Sequence, residues 1–186
     1  KMVEIAKGME KYGLIDAGFN TIVLDDAWAK PTSDKNDLTY DVAKFPVGIS
    51  GLKAALKEIN SKIKIGIYSD AGTMTCENYQ PGSYGHEAQH IAMFDSWGVD
   101  MLKYDFCNSE ADSKTSYSQM GEVINKLNEE RKAKGAIPFV FNICEWGKTE
   151  PWTWGAEAGG SSWRATSDAR EDWIGDNSLP GVIGGV

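Results

Sequence analysis

The sequence has few of the residues from which metal, redox and nucleotide sites are commonly built. Its 186 residues include two histidines and three cysteines, and three cysteines do not establish a disulfide framework. No glycine-rich phosphate turn of the G-x-G-x-x-G kind follows an early apolar run, which argues against a doubly wound nucleotide-binding sheet. The sequence therefore predicts no cofactor and no resident metal.

Positive charge and long apolar runs are also scarce. Lysine and arginine contribute 19 charges against 27 from aspartate and glutamate, for a formal net charge of -8 at pH 7. Such an acidic chain is not expected to bind nucleic acid or anionic membrane surfaces. No apolar run approaches the roughly 20 residues of a membrane-spanning helix, and no signal peptide opens the chain. The chain opens inside a helical pattern without an N-cap, so we expect residues upstream of it.

The most informative stretch is 97–107, WGVDMLKYDFC. It predicts a helix end, a turn at Gly98 and a short strand with charged residues at its end. Because side chains alternate along a strand, Lys103 and Asp105 share one face. A nearby ammonium favours the ionised form of a carboxylate, as a nucleophile requires, and a structural ion pair is the alternative.

The same unit, an apolar run ending in polar residues, recurs along the chain. The predicted strands are 21–28, 64–70, the strand within 97–107, 139–146 and 162–168. Helical patterns cover 51–60, 87–97 and 116–134, and long connections at 29–47 and 71–85 follow the strands. This alternation predicts an α/β fold of the (β/α)8 TIM-barrel type. We expect one partial barrel domain over residues 1–186 with five or six parallel strands, the last candidate strand being 180–186.

Six motifs occur in a fixed order along the chain. They are LDDAW (24–28), YSDAGTMTC (68–76), GSYGHE (82–87), WGVDMLKYDFC (97–107), CEWG (144–147) and SWRATSD (162–168). Together they resemble glycoside hydrolase family 27, which contains the α-galactosidases and α-N-acetylgalactosaminidases. The resemblance implies a secreted or periplasmic TIM-barrel enzyme of carbohydrate metabolism. It would hydrolyse terminal α-D-galactosyl residues of oligosaccharides or glycoconjugates by double displacement.

The resemblance also implies roles for individual residues. Asp105 matches the nucleophile of the family's K-Y-D motif, and Asp168 matches the acid/base of its W-R-x-x-x-D motif. Asp25 and Asp26 match the pair that hydrogen-bonds the galactose O4 and O6 hydroxyls. The other implied substrate contacts are Trp28, Tyr68, Lys103, Glu145, Trp146 and Arg164. Of these, Trp146 would crowd the C2 substituent of the sugar and favour a hydroxyl over an N-acetyl group.

The chemistry of these residues agrees with that assignment. Retention requires two carboxyl groups about 5 Å apart across the glycosidic bond, and Asp105 and Asp168 end different predicted strands, so they can face each other. Two simpler interpretations remain open. Arg164 and Asp168, four residues apart, would form a plain ion pair, and the Asp25–Asp26 pair would serve the loop or a helix N-cap.

The cysteines and the chain ends carry further expectations. Cys76 and Cys107 follow adjacent predicted strands and match a family disulfide, which would leave Cys144 free; three reduced buried thiols are the alternative. Ala27 stands where the family usually has cysteine. The family's first strand and its late W-N-D-P-D-M segment have no counterpart here. We therefore expect the isolated chain to be inactive and to self-associate through open barrel edges.

A second enzyme class also matches a short motif. His86, Glu87 and His90 form H-E-x-x-H, the zinc-binding pattern of metallopeptidases, for which Glu110 would have to supply a third ligand. The glycines within 82–85 place His86 in the first turn of its helix, which weakens this alternative. A non-catalytic, sugar-binding barrel fragment is the remaining possibility.

Overall fold

The computed structural model describes residues 1–168, so the candidate strand at 180–186 lies outside the described residues. Five parallel strands form one sheet in the order β1-β2-β3-β4-β5. They are β1 Thr21–Leu24, β2 Lys64–Asp70, β3 Met101–Asp105, β4 Val140–Cys144 and β5 Ser162–Trp163. The helices are α1 Met2–Lys11, α2 Gly48–Ile59, α3 Glu87–Ser96, α4 Ser113–Ala133 and α5 Pro151–Trp154, with a 3-10 turn at Lys35–Asp37. The predicted alternation of parallel strands and helices is confirmed.

In the middle of β3 and β4 the two faces of the sheet differ in burial. Leu102 and Tyr104 of β3 and Phe141 of β4 point to the helices and are fully buried. Between them, Lys103 and Asn142 point to the opposite face and are half-buried. Strand alternation thus separates the hydrophobic core from a face that carries polar side chains.

The strand register aligns those polar side chains in rows across the sheet. Tyr68 of β2 pairs with Lys103 of β3, and one step towards the strand ends, Asp70 pairs with Asp105, which in turn pairs with Cys144 of β4. Because the strands are parallel, their carboxyl ends and the loops that follow them lie at one edge of the sheet.

Several element boundaries differ from the sequence-based prediction for local reasons. The first strand ends at Leu24 rather than 28, since Asp26 Oδ1 accepts a hydrogen bond from the Ala27 N–H (2.6 Å) and Ala27 adopts a left-handed φ of 63°. The extended run predicted at 162–168 stops at Trp163, because Arg164 Nε donates to the Thr166 carbonyl and the chain turns.

The two edges of the sheet and the helices bear on association. Within residues 1–168, β1 pairs only with β2 and β5 pairs only with β4. Self-association through these edges and the single-domain boundaries 1–186 stay predictions. No helix in the described part of the chain is long and apolar enough to cross a lipid bilayer.

Candidate active site

A cleft of about 250 Å³ opens at the carboxyl ends of the strands. Its lining consists of Asp25, Asp26, Tyr68, Cys76, Glu77, Lys103, Asp105, Trp146, Arg164 and Asp168. The parallel sheet therefore brings together all the predicted catalytic and substrate-binding residues except Trp28 and Glu145.

Asp105 ends β3 and is almost completely buried, with 6% of its surface exposed. Burial raises the pKa of its carboxyl group. The Phe106 N–H, which donates to Oδ1 (3.0 Å), opposes that rise, as do the charge of Lys103 and the proximity of the Tyr68 hydroxyl and the Cys144 thiol. The group is therefore a poorly hydrated carboxylate held by fixed donors, which suits a nucleophile.

Lys103 forms a salt bridge with Asp25. Its Nζ lies 2.9 and 2.7 Å from the two carboxylate oxygens of Asp25. This contact joins β3 to the loop after β1. Burial lowers the pKa of Lys103, but the hydrogen bond and charge of Asp25 outweigh this and raise it overall. The alternative of a Lys103–Asp105 ion pair is therefore not what the structure has, whereas the charge of Lys103 favours the ionised form of Asp105.

The two neighbouring aspartates after β1 both reach the cleft, because the strand has already ended. Asp25 Oδ1 accepts a hydrogen bond from the Asp26 N–H (2.9 Å), and Asp26 Oδ2 accepts one from the Glu77 N–H (3.1 Å). Asp26 consequently ties the loop after β1 to the loop after β2. The Asp25–Asp26 pair therefore stabilises the loop, as the simpler interpretation expected, and also lines the cleft.

Arg164 and Asp168 form the close ion pair that their spacing allowed. Arg164 Nη2 lies 2.6 Å from Asp168 Oδ1, and the Asp168 side chain is 81% exposed. Burial lowers the pKa of Arg164, and the hydrogen bond with Asp168 raises it, with a net rise. Asp168 therefore faces solvent at the mouth of the cleft, whereas Asp105 lies at its base.

A disulfide and a strained tryptophan complete the cleft wall. Cys76 and Cys107 are joined, with their Cα atoms 5.1 Å apart, and Cys144 is free and buried, as predicted. Trp146 has a left-handed φ of 59°, which is unusual for a bulky residue. Lys148 Nζ lies 4.2 Å from its ring centroid. This cation–π contact helps to hold the ring at the cleft.

Comparison with known proteins identifies the family to which the chain belongs. The family model described as alpha galactosidase A matches residues 1–178. The chain belongs to the alpha-galactosidase A family. This confirms the resemblance seen in the six motifs.

Individual members of the alpha-galactosidase A family agree in sequence and fold. The Coffea arabica alpha-galactosidase is 43% identical over 173 residues, covering 91% of this chain and 43% of that protein. Alpha-galactosidase I from Mortierella vinacea superposes with a TM-score of 0.80 at 32% identity, covering 93% of this chain and 42% of that one. The Saccharomyces cerevisiae enzyme solved with raffinose gives 0.77 at 31% identity, covering 91% and 36%. The chain therefore spans about two fifths of the length of the curated relatives it matches.

Two residues implied by the family resemblance lie behind the cleft wall. Trp28 is buried, and its Nε1 donates to the Tyr68 carbonyl (2.8 Å) while its ring packs edge-on against Phe94 and Trp97. Glu145 is also buried, and its Oε2 accepts hydrogen bonds from the Thr149 N–H and hydroxyl. In this structure Trp28 supports Tyr68 from behind, and sugar contacts by Trp28 and Glu145 stay predictions.

Sequence reasoning missed two acidic residues at this alpha-galactosidase-like site. Asp70 is fully buried at the end of β2, where its carboxylate accepts the Gly72 N–H (2.7 Å) and the Cys107 N–H (2.9 Å). Burial raises its pKa to about 8 against those donors. The position of Asp70 at the end of a predicted strand could have identified it as a site residue. Glu77 follows Cys76 in a loop and belongs to no motif, so no sequence feature pointed to it.

The zinc alternative gains no support from the placement of its residues. His90 is buried with Nδ1 2.9 Å from Ser83 Oγ, and His86 precedes α3 as its N-cap residue. In residues 1–168, the group with metal-ligand spacing is Asp70, Cys76, Asp105 and Cys107. Its two cysteines form the disulfide and offer no thiolate, so this set does not fit a metal ion.

Proposed function

We propose that the intact protein is a retaining α-galactosidase that removes terminal α-D-galactosyl residues from oligosaccharides or glycoconjugates. The observation that carries this proposal is the cleft in which Asp105, Asp168 and the Asp25–Asp26 pair meet, in a chain of the alpha-galactosidase A family. The S. cerevisiae relative was solved with raffinose, which supports a galactoside as substrate here.

The different environments of the two catalytic candidates match the two steps of a double displacement. Asp105 attacks C1 of the sugar while Asp168 donates a proton to the leaving oxygen, which leaves a galactosyl ester on Asp105. Asp168, now a carboxylate, takes a proton from a water molecule whose oxygen attacks C1. The ester bond to Asp105 breaks, and Asp105 returns to its carboxylate form. Solvent exposure of Asp168 gives it access to that water.

Specificity for galactose follows from the acceptors at the cleft. Asp25 and Asp26 would accept hydrogen bonds from the O4 and O6 hydroxyls, with Lys103 holding Asp25 in place. A site built to hydrogen-bond a hydroxyl discriminates strongly against substrates that place it elsewhere, because polar groups covered by the bound sugar are then left unpaired. Trp146 would limit the space at C2 to a hydroxyl.

The disulfide supports a proposal about compartment. Cys76–Cys107 joins two cleft loops, and such bonds persist mainly in oxidising environments. We infer that the protein acts in a secreted or periplasmic setting.

An assay of the intact protein tests the function. It should hydrolyse an aryl α-D-galactoside and release α-galactose first, as followed by proton NMR before mutarotation. Matched α-N-acetylgalactosaminide and α-glucoside substrates should react at least about 100-fold more slowly in kcat/KM, the scale set by misplaced hydroxyls. Inverted product, or preference for either of the other sugars, would contradict the proposal. Binding of galactose in calorimetry without turnover would identify a sugar-binding protein instead.

A further inference from the structure

We propose that Cys144 is a positioning residue whose thiol links the nucleophile Asp105 to Arg164, the residue that holds Asp168. This rests on the proposed function, because it assigns Cys144 a role in that same site. The free thiol is neither in the cleft lining nor in the disulfide, and none of the steps above uses it.

The backbone register places the thiol beside the nucleophile. Cys144 and Asp105 are partners in the β3–β4 ladder and are the last residues of their strands. Partners in adjacent strands project to the same side of the sheet, so the Cys144 side chain lies next to the carboxylate. Cys144 is 1% exposed, so water does not compete for its thiol.

The other side of the thiol meets the arginine. Arg164 Nη1 lies 3.9 Å from Cys144 Sγ, and Arg164 Nη2 lies 2.6 Å from Asp168 Oδ1. The sulfur can accept from the guanidinium while its S–H donates to Asp105, since a thiol is both a weak donor and a weak acceptor. A continuous chain of contacts thereby runs from Asp105 through Cys144 and Arg164 to Asp168.

The chain of contacts requires the protonated thiol, and the surroundings keep it protonated. Burial, followed by the negative charge of Asp105, raises the pKa of Cys144 to about 11. The thiol therefore keeps its proton at neutral pH, so it can donate to the neighbouring Asp105 carboxylate and thereby lower the pKa of that group. Serine could replace this donor, whereas alanine and valine could not.

The contribution of the thiol has to be separated from the other charges around Asp105. The groups that face it from the packed elements are Tyr68 and Asp70 on β2, Lys103 on β3, Tyr117 on α4, Asp25 and Asp26 after β1, and Arg164 and Asp168 after β5. A substitution at Cys144 removes none of these groups. The comparison of Cys144→Ala with Cys144→Ser, which keeps a donor at the same place, then isolates the effect of the donor on the titration of Asp105.

The test measures kcat/KM against pH for an activated α-galactoside in the intact protein and in variants of β4. In Cys144→Ala and Cys144→Val the acidic limb should move up by roughly 0.5–1 pH unit, the effect of one weak hydrogen bond on a carboxyl pKa. Cys144→Ser should keep the limb within a few tenths of a unit of wild type. Ile143→Val, on the opposite face of the same strand, is the matched control and should not move it.

A second readout does not depend on turnover or on a stable alanine variant. The infrared S–H band, isolated as the difference between wild type and Cys144→Ser, should lie below that of an unbonded thiol and should shift in Asp105→Asn. An unbonded band, or an acidic limb unchanged in both Cys144→Ala and Cys144→Val, would overturn the inference. A wild-type protein without α-galactosidase activity would refute the proposed function instead, and the infrared band would still decide the contact.

Discussion

At the scale of single residues, Asp105 and Asp168 show how environment separates two identical functional groups. Asp105 is buried among fixed donors, and Asp168 is exposed and held by Arg164. In the proposed mechanism Asp105 attacks the sugar from the base of the cleft, while Asp168 at its mouth exchanges a proton with the leaving oxygen and then with water. The two residues should therefore fail in different ways when each is made an amide.

We expect Asp105→Asn to abolish the galactosyl intermediate with every substrate. Asp168→Asn should slow hydrolysis of an unactivated galactoside by about 10²–10⁴-fold, the usual contribution of a general acid. With a nitrophenolate leaving group, which needs no protonation, the first step should be nearly unaffected and the intermediate should accumulate. Rapid-quench kinetics on both substrates measures this. Equal losses on the two substrates in Asp168→Asn would show that Asp168 is not the acid.

Asp70 gives a prediction about stability. Because its pKa is about 8 in the folded state and roughly 3.9 in an unfolded chain, the folded protein binds more protons between these values. The free energy of unfolding should therefore fall as pH rises from about 4 to about 8. Asp70→Asn removes this titration. The slope of the free energy of unfolding against pH should therefore become smaller, by up to the amount that one bound proton contributes. Urea unfolding of both proteins at several pH values measures it, and identical slopes would contradict the assignment.

At the scale of elements, the cleft depends on close contact between the loops after β2 and β3. A Cβ atom on Gly72 would lie 1.9 Å from the Cys107 carbonyl oxygen, so the two backbones touch beside the disulfide. Asp70 accepts an N–H from each loop and fixes the same contact. The wall that carries Cys76 is thus positioned by backbone packing as well as by the covalent bond.

Gly72→Ala should force these loops apart. We expect a loss of about 1–3 kcal/mol in the free energy of unfolding, as overpacking usually causes, together with a rise in KM. Gly8→Ala is the matched control: no atom lies within 4 Å of its added Cβ, and α1 should gain about 0.5–1 kcal/mol. Denaturant unfolding and steady-state kinetics measure both. A Gly72→Ala protein as stable as wild type would show that the contact is not needed.

Sequence patterns were sufficient to predict the parallel strands and most residues of the cleft, and the reason is physical. Apolar runs ending in charge predict parallel strands whose polar ends meet, which brought Asp25, Asp105 and Asp168 together without any coordinates. Partners could not be predicted in the same way. Lys103 pairs with Asp25, 78 residues away and on the other side of β2, because the shared edge of the sheet, rather than spacing in the sequence, brings them together.

Where the sequence-based prediction for individual residues differs from the structure, the cause is a local contact. The run at 21–28 reads as one strand, but the Asp26 side chain captures the Ala27 N–H and ends it. That turn allows neighbouring aspartates to face one cleft, which strict alternation forbids. It also turns the chain so that Trp28 packs into the core, where aromatic partners cover it.

At the scale of the whole molecule, the cleft draws on the carboxyl ends of all five described strands and the segments that follow them. Asp25, Cys76, Asp105, Trp146 and Asp168 each come from a different one. No segment holds the site alone, so its geometry depends on the order and register of the entire sheet. We infer that this cleft forms a covalent galactosyl ester on Asp105.

Covalent labelling tests that claim most directly. The intact protein is treated with a galactose-configured α-cyclophellitol epoxide, digested and mapped by mass spectrometry. We expect one label per molecule on the Asp105 carboxylate, blocked by excess galactose and absent in Asp105→Asn. Labelling of Asp168 or of a residue outside the cleft, or labelling that survives Asp105→Asn, would contradict it.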